Sequence, residues 1–184
     1  MTRSRAHYLA PWRIDLEVRP AVRASGLPIA VAALARCVAA ALDGVAAPSP
    51  ASIGLILSDD VELAALNREH LGKDGPTDVL SFPLLPPAAF AAGAGTPDVP
   101  RPPGMRLHLG DIVISVERAA DQAEAGRGGQ TGDMRWSTAD ELRLLVTHGT
   151  LHICGLDHAE PTEEAAMRAL ERRLLGQAGV LDRA

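Results

Sequence analysis

Aromatic side chains are scarce: they make up 3% of the 184 residues, so Ala, Leu and Val must fill the interior, and the 47% hydrophobic fraction allows it. That balance excludes a disordered tail and fits a single domain over residues 1–184, long enough to bury most of its apolar surface without staples. Only two cysteines occur, Cys37 and Cys154, far apart and in different contexts, and both read as small buried apolar residues rather than as a disulfide. No apolar run approaches the ~18 residues that a membrane span needs. Met1–Ala10 has neither the apolar stretch nor the small-residue cleavage site of a signal peptide. A soluble cytoplasmic protein with no membrane partner is expected. An all-over basic coat is also missing, since the formal charge is -5 and the pI about 5.6. A nucleic-acid partner would therefore have to be met by a local patch.

What is present reads as alternating strands and helices. Residues 1–11 form a short polar lead, and "WRIDLEV", Trp12–Val18, alternates apolar and charged residues as a half-buried strand does. A helix is predicted from Pro28 to Gly44, rich in helix formers with glycine at its end. Ala51–Ser58 is the next strand. Asp59 and Glu62 then stand at capping-box spacing at the head of a helix closed by Gly72. Thr77–Pro83 is a third strand, stopped by proline.

Residues 84–104, rich in Pro, Ala and Gly, have no usable period and read as a flexible insertion. A strand resumes through Ser115, a helix follows near Val116–Ala125, and residues 126–137 read as a loop. Thr138 and Glu141 form a second capping-box signature, and a final helix starts at Pro161. The class expected is α+β: a small mixed sheet of about four strands flanked by about five helices.

The chemistry concentrates in "VTHGTLHICGLDHAE", Val146–Glu160, which holds three of the six histidines. His148 and His152 are four residues apart on a helical segment, so their imidazoles share one face a turn apart. Gly155 lets the chain leave the helix and bring His158 back towards them. Isolated histidines such as His7, His70 and His108 read as ordinary core or surface residues, but H-x3-H-x5-H with a glycine break predicts a zincin-like metal site with ligands His148, His152 and His158. Zinc, one per chain, is favoured because no redox motif accompanies the imidazoles. Three protein ligands leave an open position for a reactive water. Cys154 sits inside the cluster but is not needed as a ligand. Asp157 reads either as a carboxylate orienting a ligand histidine or as a turn former. The spacing is that of the metzincin proteases, with Gly149 in place of their glutamate base, so peptide hydrolysis by that route lacks its proton acceptor.

"HGTLHICGLDH" resembles the signature of the YbeY-type bacterial rRNA maturation factors, single-strand-specific metallo-endoribonucleases, in which glycine follows the first histidine. "LNREHLGKDGPTDVLSFP", Leu66–Pro83, and "LGDIVIS", Leu109–Ser115, are similar to two further blocks of that family in the same order. The resemblance implies a mixed sheet flanked by helices, zinc on the three histidines, and an RNA partner: the 16S rRNA precursor and the ribosome, in 3′-end maturation and ribosome quality control. DNA is not an expected partner. Catalytic roles are expected for His148 and Lys73. Lys73 matches the family's lysine, whereas the family's arginine falls at Leu71 and its tyrosine at His70. Leucine cannot hold a phosphate, so either Lys73, Arg68, Arg127 or Arg135 supplies the positive charge or the activity is altered or weak. Alternative readings are a ribosome-associated RNA-binding factor with a structural zinc, and a metallohydrolase with another substrate.

Overall fold

The computed structural model describes residues 4–91, 100, 102–126, 136–157 and 160–177. Strands β1 (Arg5–Leu9), β2 (Trp12–Val18), β3 (Ala51–Ser58), β4 (Val79–Pro83) and β5 (Leu107–Ser115) form one sheet in the order β1-β2-β3-β5-β4. β2, β3 and β5 run parallel, and the outer strands β1 and β4 pair antiparallel to their neighbours. The helices are α1 (Pro20–Ser25), α2 (Val31–Gly44), α3 (Asp60–Leu71), α4 (Val116–Glu124), α5 (Thr138–Ile153) and α6 (Pro161–Gln177). Among the described residues no helix is long and apolar enough to cross a membrane.

The strand patterns decide which faces are covered. Along β2, Trp12, Ile14, Leu16 and Val18 are buried while Arg13, Asp15 and Glu17 are not, the alternation of a strand with one face on the core. The middle of β5 is apolar on both sides because helices lie on both: Ile112 faces α5, and its neighbour Val113 packs with Leu63 of α3. The larger core lies between the sheet and helices α2 and α5, with Leu34, Val38 and Leu42 of α2 and Leu142, Leu145 and Val146 of α5 meeting Ile14, Ile53, Leu55 and Ile112. α6 closes over α2 and α5 through Met167 and Leu174, which pack with Ala41 and Leu151.

Several expectations are corrected. The sheet has five strands rather than about four, because Arg5–Leu9, read as part of a polar lead, is the edge strand β1. Its side chains are mostly half-exposed and lack alternation, so only pairing with β2 reveals it. Among the described residues six helices stand where about five were expected; the extra one is the six-residue α1. α2 begins at Val31, past the predicted Pro28. Asp59 caps α3 as expected, accepting from Glu62 N at 3.0 Å. The capping box of α5 is one residue earlier than predicted: Ser137 accepts from Asp140 N, and the Asp140 carboxylate accepts from Ser137 N. Within residues 84–104, Pro87–Phe90 form a short 3-10 turn, and residues 92–99 and 101 lie outside the described residues.

Candidate metal centre

Helix α5 carries the histidines, and its own chemistry fixes it in place. Its buried threonines are satisfied internally: Thr147 Oγ1 donates to Arg143 O at 2.8 Å and Thr150 Oγ1 to Val146 O at 2.7 Å. At Gly149 the helix lies directly on the sheet. A methyl group there would stand 2.8 Å from Ile112 Cγ2, 3.2 Å from Ser81 Oγ and 3.2 Å from Val79 Cγ2. Ser81 Oγ of the edge strand β4 also donates to Gly149 O at 3.1 Å. The glycine is thus what brings the histidine helix against β4 and β5.

The helix ends in a Schellman turn. Gly155 N donates to His152 O at 3.0 Å and Leu156 N to Leu151 O at 3.1 Å, with Gly155 at φ 80°. Leu156 packs beside Leu151, the apolar contact that accompanies this motif. A methyl group at Gly155 would meet Pro87 Cα at 2.7 Å, so the 3-10 turn after β4 is seated on the histidine turn.

His148 and His152 converge. Their Nε2 atoms are 3.0 Å apart and their rings meet edge to face, centroids 4.5 Å apart at 82°. Two imidazoles on one tetrahedral zinc, with bonds of about 2.05 Å, would hold their nitrogens roughly 3.3 Å apart. The observed spacing differs by a few tenths of an ångström. Nδ1 of His148 lies 2.7 Å from Oε1 of Glu171 on α6, a residue only 9% exposed. The predicted third ligand, His158, lies outside the described residues, as do Arg127 and Arg135. Among the described residues no group of three or more metal-binding side chains is present. The two imidazoles fit zinc in donor type and spacing.

The remaining predicted residues separate. Lys73 is exposed in the turn after α3, its backbone N reaching Asn67 O at 3.4 Å. Leu71 is 55% exposed at the end of the same helix. His70 meets Phe82 of β4 edge-on, with ring centroids 4.9 Å apart. Arg68 is paired with Asp74 at 3.2 Å on the surface. Cys37 and Cys154 are free and buried, as read from the sequence. Burial pushes the Cys154 thiol up to about 12. Asp157 is exposed. A carboxylate on a motif imidazole is that of Glu171, 2.7 Å from His148 Nδ1, which no spacing rule singles out. Its signal in the sequence is a charge set among the buried positions Met167, Leu174 and Leu175 of α6.

A mixed sheet is crossed by a helix that presents paired imidazoles, and at the position after the first of them a methyl group would already stand 2.8 Å from Ile112 Cγ2. Residues 27–179 match the family model described as Endoribonuclease YbeY. Curated relatives of that name are 43% identical over 142 residues in Salinispora tropica, covering 73% of this chain and 79% of that protein. In Paramagnetospirillum magneticum the identity is 39% over 157 residues, 85% of each chain. In Beutenbergia cavernae it is 42% over 147 residues, 78% of this chain and 83% of that one. The solution structure of a Thermotoga maritima protein has the same fold, with TM-score 0.52 at 20% identity, covering 90% of this chain and 88% of that one. The chain belongs to the endoribonuclease YbeY family, whose members are named endoribonucleases, enzymes that act on RNA phosphodiester bonds.

Proposed function

We propose that this protein is a zinc-dependent endoribonuclease specific for single-stranded RNA, acting in the cytoplasm on the 3′ end of the 16S rRNA precursor and in ribosome quality control. The observation that carries the metal-dependent reading is the convergence of His148 and His152 Nε2 atoms at 3.0 Å in a chain of this family. His158 is proposed as the third ligand. Bound there, zinc supplies Lewis-acid polarisation of a phosphoryl oxygen and a water nucleophile at neutral pH. The two described imidazoles hold their Nε2 atoms towards one point, and α5, which carries them, lies against β4 at Gly149. Lys73, exposed past α3, supplies positive charge to the phosphate as negative charge develops on it. A glutamate base of the protease kind has no room, since even a methyl group at position 149 would crowd Ile112. That favours the phosphodiester over the peptide as substrate.

The test is to incubate the purified protein, under controlled metal, with single-stranded and duplex RNA of one sequence, comparing wild type with His148→Ala and Lys73→Ala. Zinc-dependent cleavage of the single strand alone, abolished by His148→Ala and weakened by Lys73→Ala, is expected. If wild type and His148→Ala leave the same residual cleavage, the enzyme reading gives way to that of an RNA-binding factor with a structural zinc.

A further inference from the structure

Glu171 lies on a helix outside the histidine motif, 23 residues beyond His148 in sequence, yet its Oε1 is 2.7 Å from His148 Nδ1. It occupies the inward face of α6, where its neighbours Met167, Leu174 and Leu175 are apolar. A carboxylate in such a place is unfavourable unless a partner satisfies it. The partner is an imidazole, and the direction of the bond matters. An ionised carboxylate can only accept, so Nδ1 of His148 carries the hydrogen and, in the neutral ring, Nε2 keeps its lone pair. That lone pair is the one that faces His152 Nε2 across 3.0 Å. The same bond fixes the ring's rotation, since the imidazole is held at one nitrogen by α6 and carried at its Cα by α5.

We propose that Glu171 is the positioning residue of the metal centre: by accepting from Nδ1 it selects the His148 tautomer whose Nε2 is unprotonated and holds the ring so that this nitrogen faces His152 Nε2. This rests on the reading of His148 and His152 as ligands. It makes α6 a working part of the site, joining the centre to the helix that packs over α2 and α5 through Met167 and Leu174. Carboxylates behind ligand histidines typically tune metal affinity by about 10- to 100-fold. Glu171→Gln keeps the volume and an acceptor oxygen but loses the charge. Glu171→Ala loses both.

The experiment measures zinc affinity by competition with a chromophoric chelator for wild type, Glu171→Gln and Glu171→Ala, with His152→Ala as the variant lacking a ligand. The tautomer of His148 in the metal-free protein is read in parallel from ring 15N shifts. About 10-fold weaker binding is expected for Glu171→Gln and up to about 100-fold for Glu171→Ala. The Nδ1–H form is expected to dominate in wild type and to give way to a mixture in both Glu171 variants. Zinc affinity and tautomer in Glu171→Gln equal to wild type would overturn the proposal, and this decides the matter even if Glu171→Ala does not fold. Wild type that binds no zinc, or binds it as His152→Ala does, would instead overturn the ligand reading on which it rests.

Discussion

Gly149 and Ile112 are packed so closely that a single methyl group on the glycine would stand 2.8 Å from Ile112 Cγ2. The position that holds the catalytic glutamate in metzincin-type proteases is here the meeting point between the histidine helix and the sheet. A side chain at 149 would push α5 away from β4 and β5 and carry the imidazoles with it. Gly149→Ala is therefore expected to destabilise the protein by about 1–3 kcal/mol, the usual cost of overpacking, in spite of alanine's better helix propensity. Urea denaturation checks this; unchanged or increased stability would mean that the helix has slack at this point.

Gly155 is held differently. At φ 80° it occupies the left-handed region, and its Cα faces Pro87. Gly155→Ala should cost about 1–3 kcal/mol from backbone strain, with the clash against Pro87 in addition. Because the turn leads on to His158, zinc affinity should fall together with stability. Parallel denaturation and zinc-competition measurements on this variant separate the two effects.

Leu71, at the position where the resemblance implies an arginine, is exposed at the end of α3 and two residues from Lys73. Leu71→Arg should tighten single-stranded RNA binding, and each additional phosphate neutralised should steepen the salt dependence of binding by about one power of salt concentration. Lys73→Ala should move that slope the other way by a similar amount. Filter-binding titrations over a salt series give both slopes, and a slope that neither variant alters would place the phosphates elsewhere on the protein.

On the open face of the sheet, His108 Nε2 lies 3.2 Å from Asp111 Oδ1 and its Nδ1 3.1 Å from Ser52 Oγ. The hydrogen bond to Asp111 raises the His108 pKa above its ordinary value; partial burial opposes this, and the charges of Asp111 and Asp15 add to the rise while Arg13 counters it. A group with a raised folded-state pKa stabilises the fold fully below its unfolded value, about 6.5, and that contribution is lost as pH rises through the folded value. Asp111→Asn should therefore narrow its stability gap to wild type as pH climbs above about 6.5. With both side chains more than a third exposed, the effect is small. Thermal melts from mildly acidic to mildly alkaline pH check the sign, and a gap that widens with pH would contradict it.

Local rules made much of this legible in the sequence. The alternation of Trp12–Val18, the Asp59 cap and the Gly72 stop of α3 each depend on near neighbours and are found where expected. His148 and His152 share a helix face for the same reason, and the Gly155 turn forms the expected C-cap. What stayed hidden depends on distant parts of the chain. β1 exists through its pairing with β2, and the α5 cap shifted to Ser137 because two acidic residues at adjacent positions offered competing boxes. Glu171 meets His148 only after α6 folds back across α5. The family resemblance supplied the glycine at 149, while the reason for it is a tertiary fit that spacing does not display.

Whether His148 and His152 hold a metal used to cut RNA is tested most directly by His152→Ala. Zinc content and single-stranded RNA cleavage should be measured on the same preparations of wild type and this variant, before and after chelation and zinc restoration. Wild type should carry about one zinc per chain, the occupancy of a three-ligand catalytic site; it should lose cleavage on chelation and regain it with zinc, while His152→Ala does neither. Cleavage that persists unchanged in His152→Ala, or in chelated wild type, would contradict a metal-dependent nuclease built on these two imidazoles.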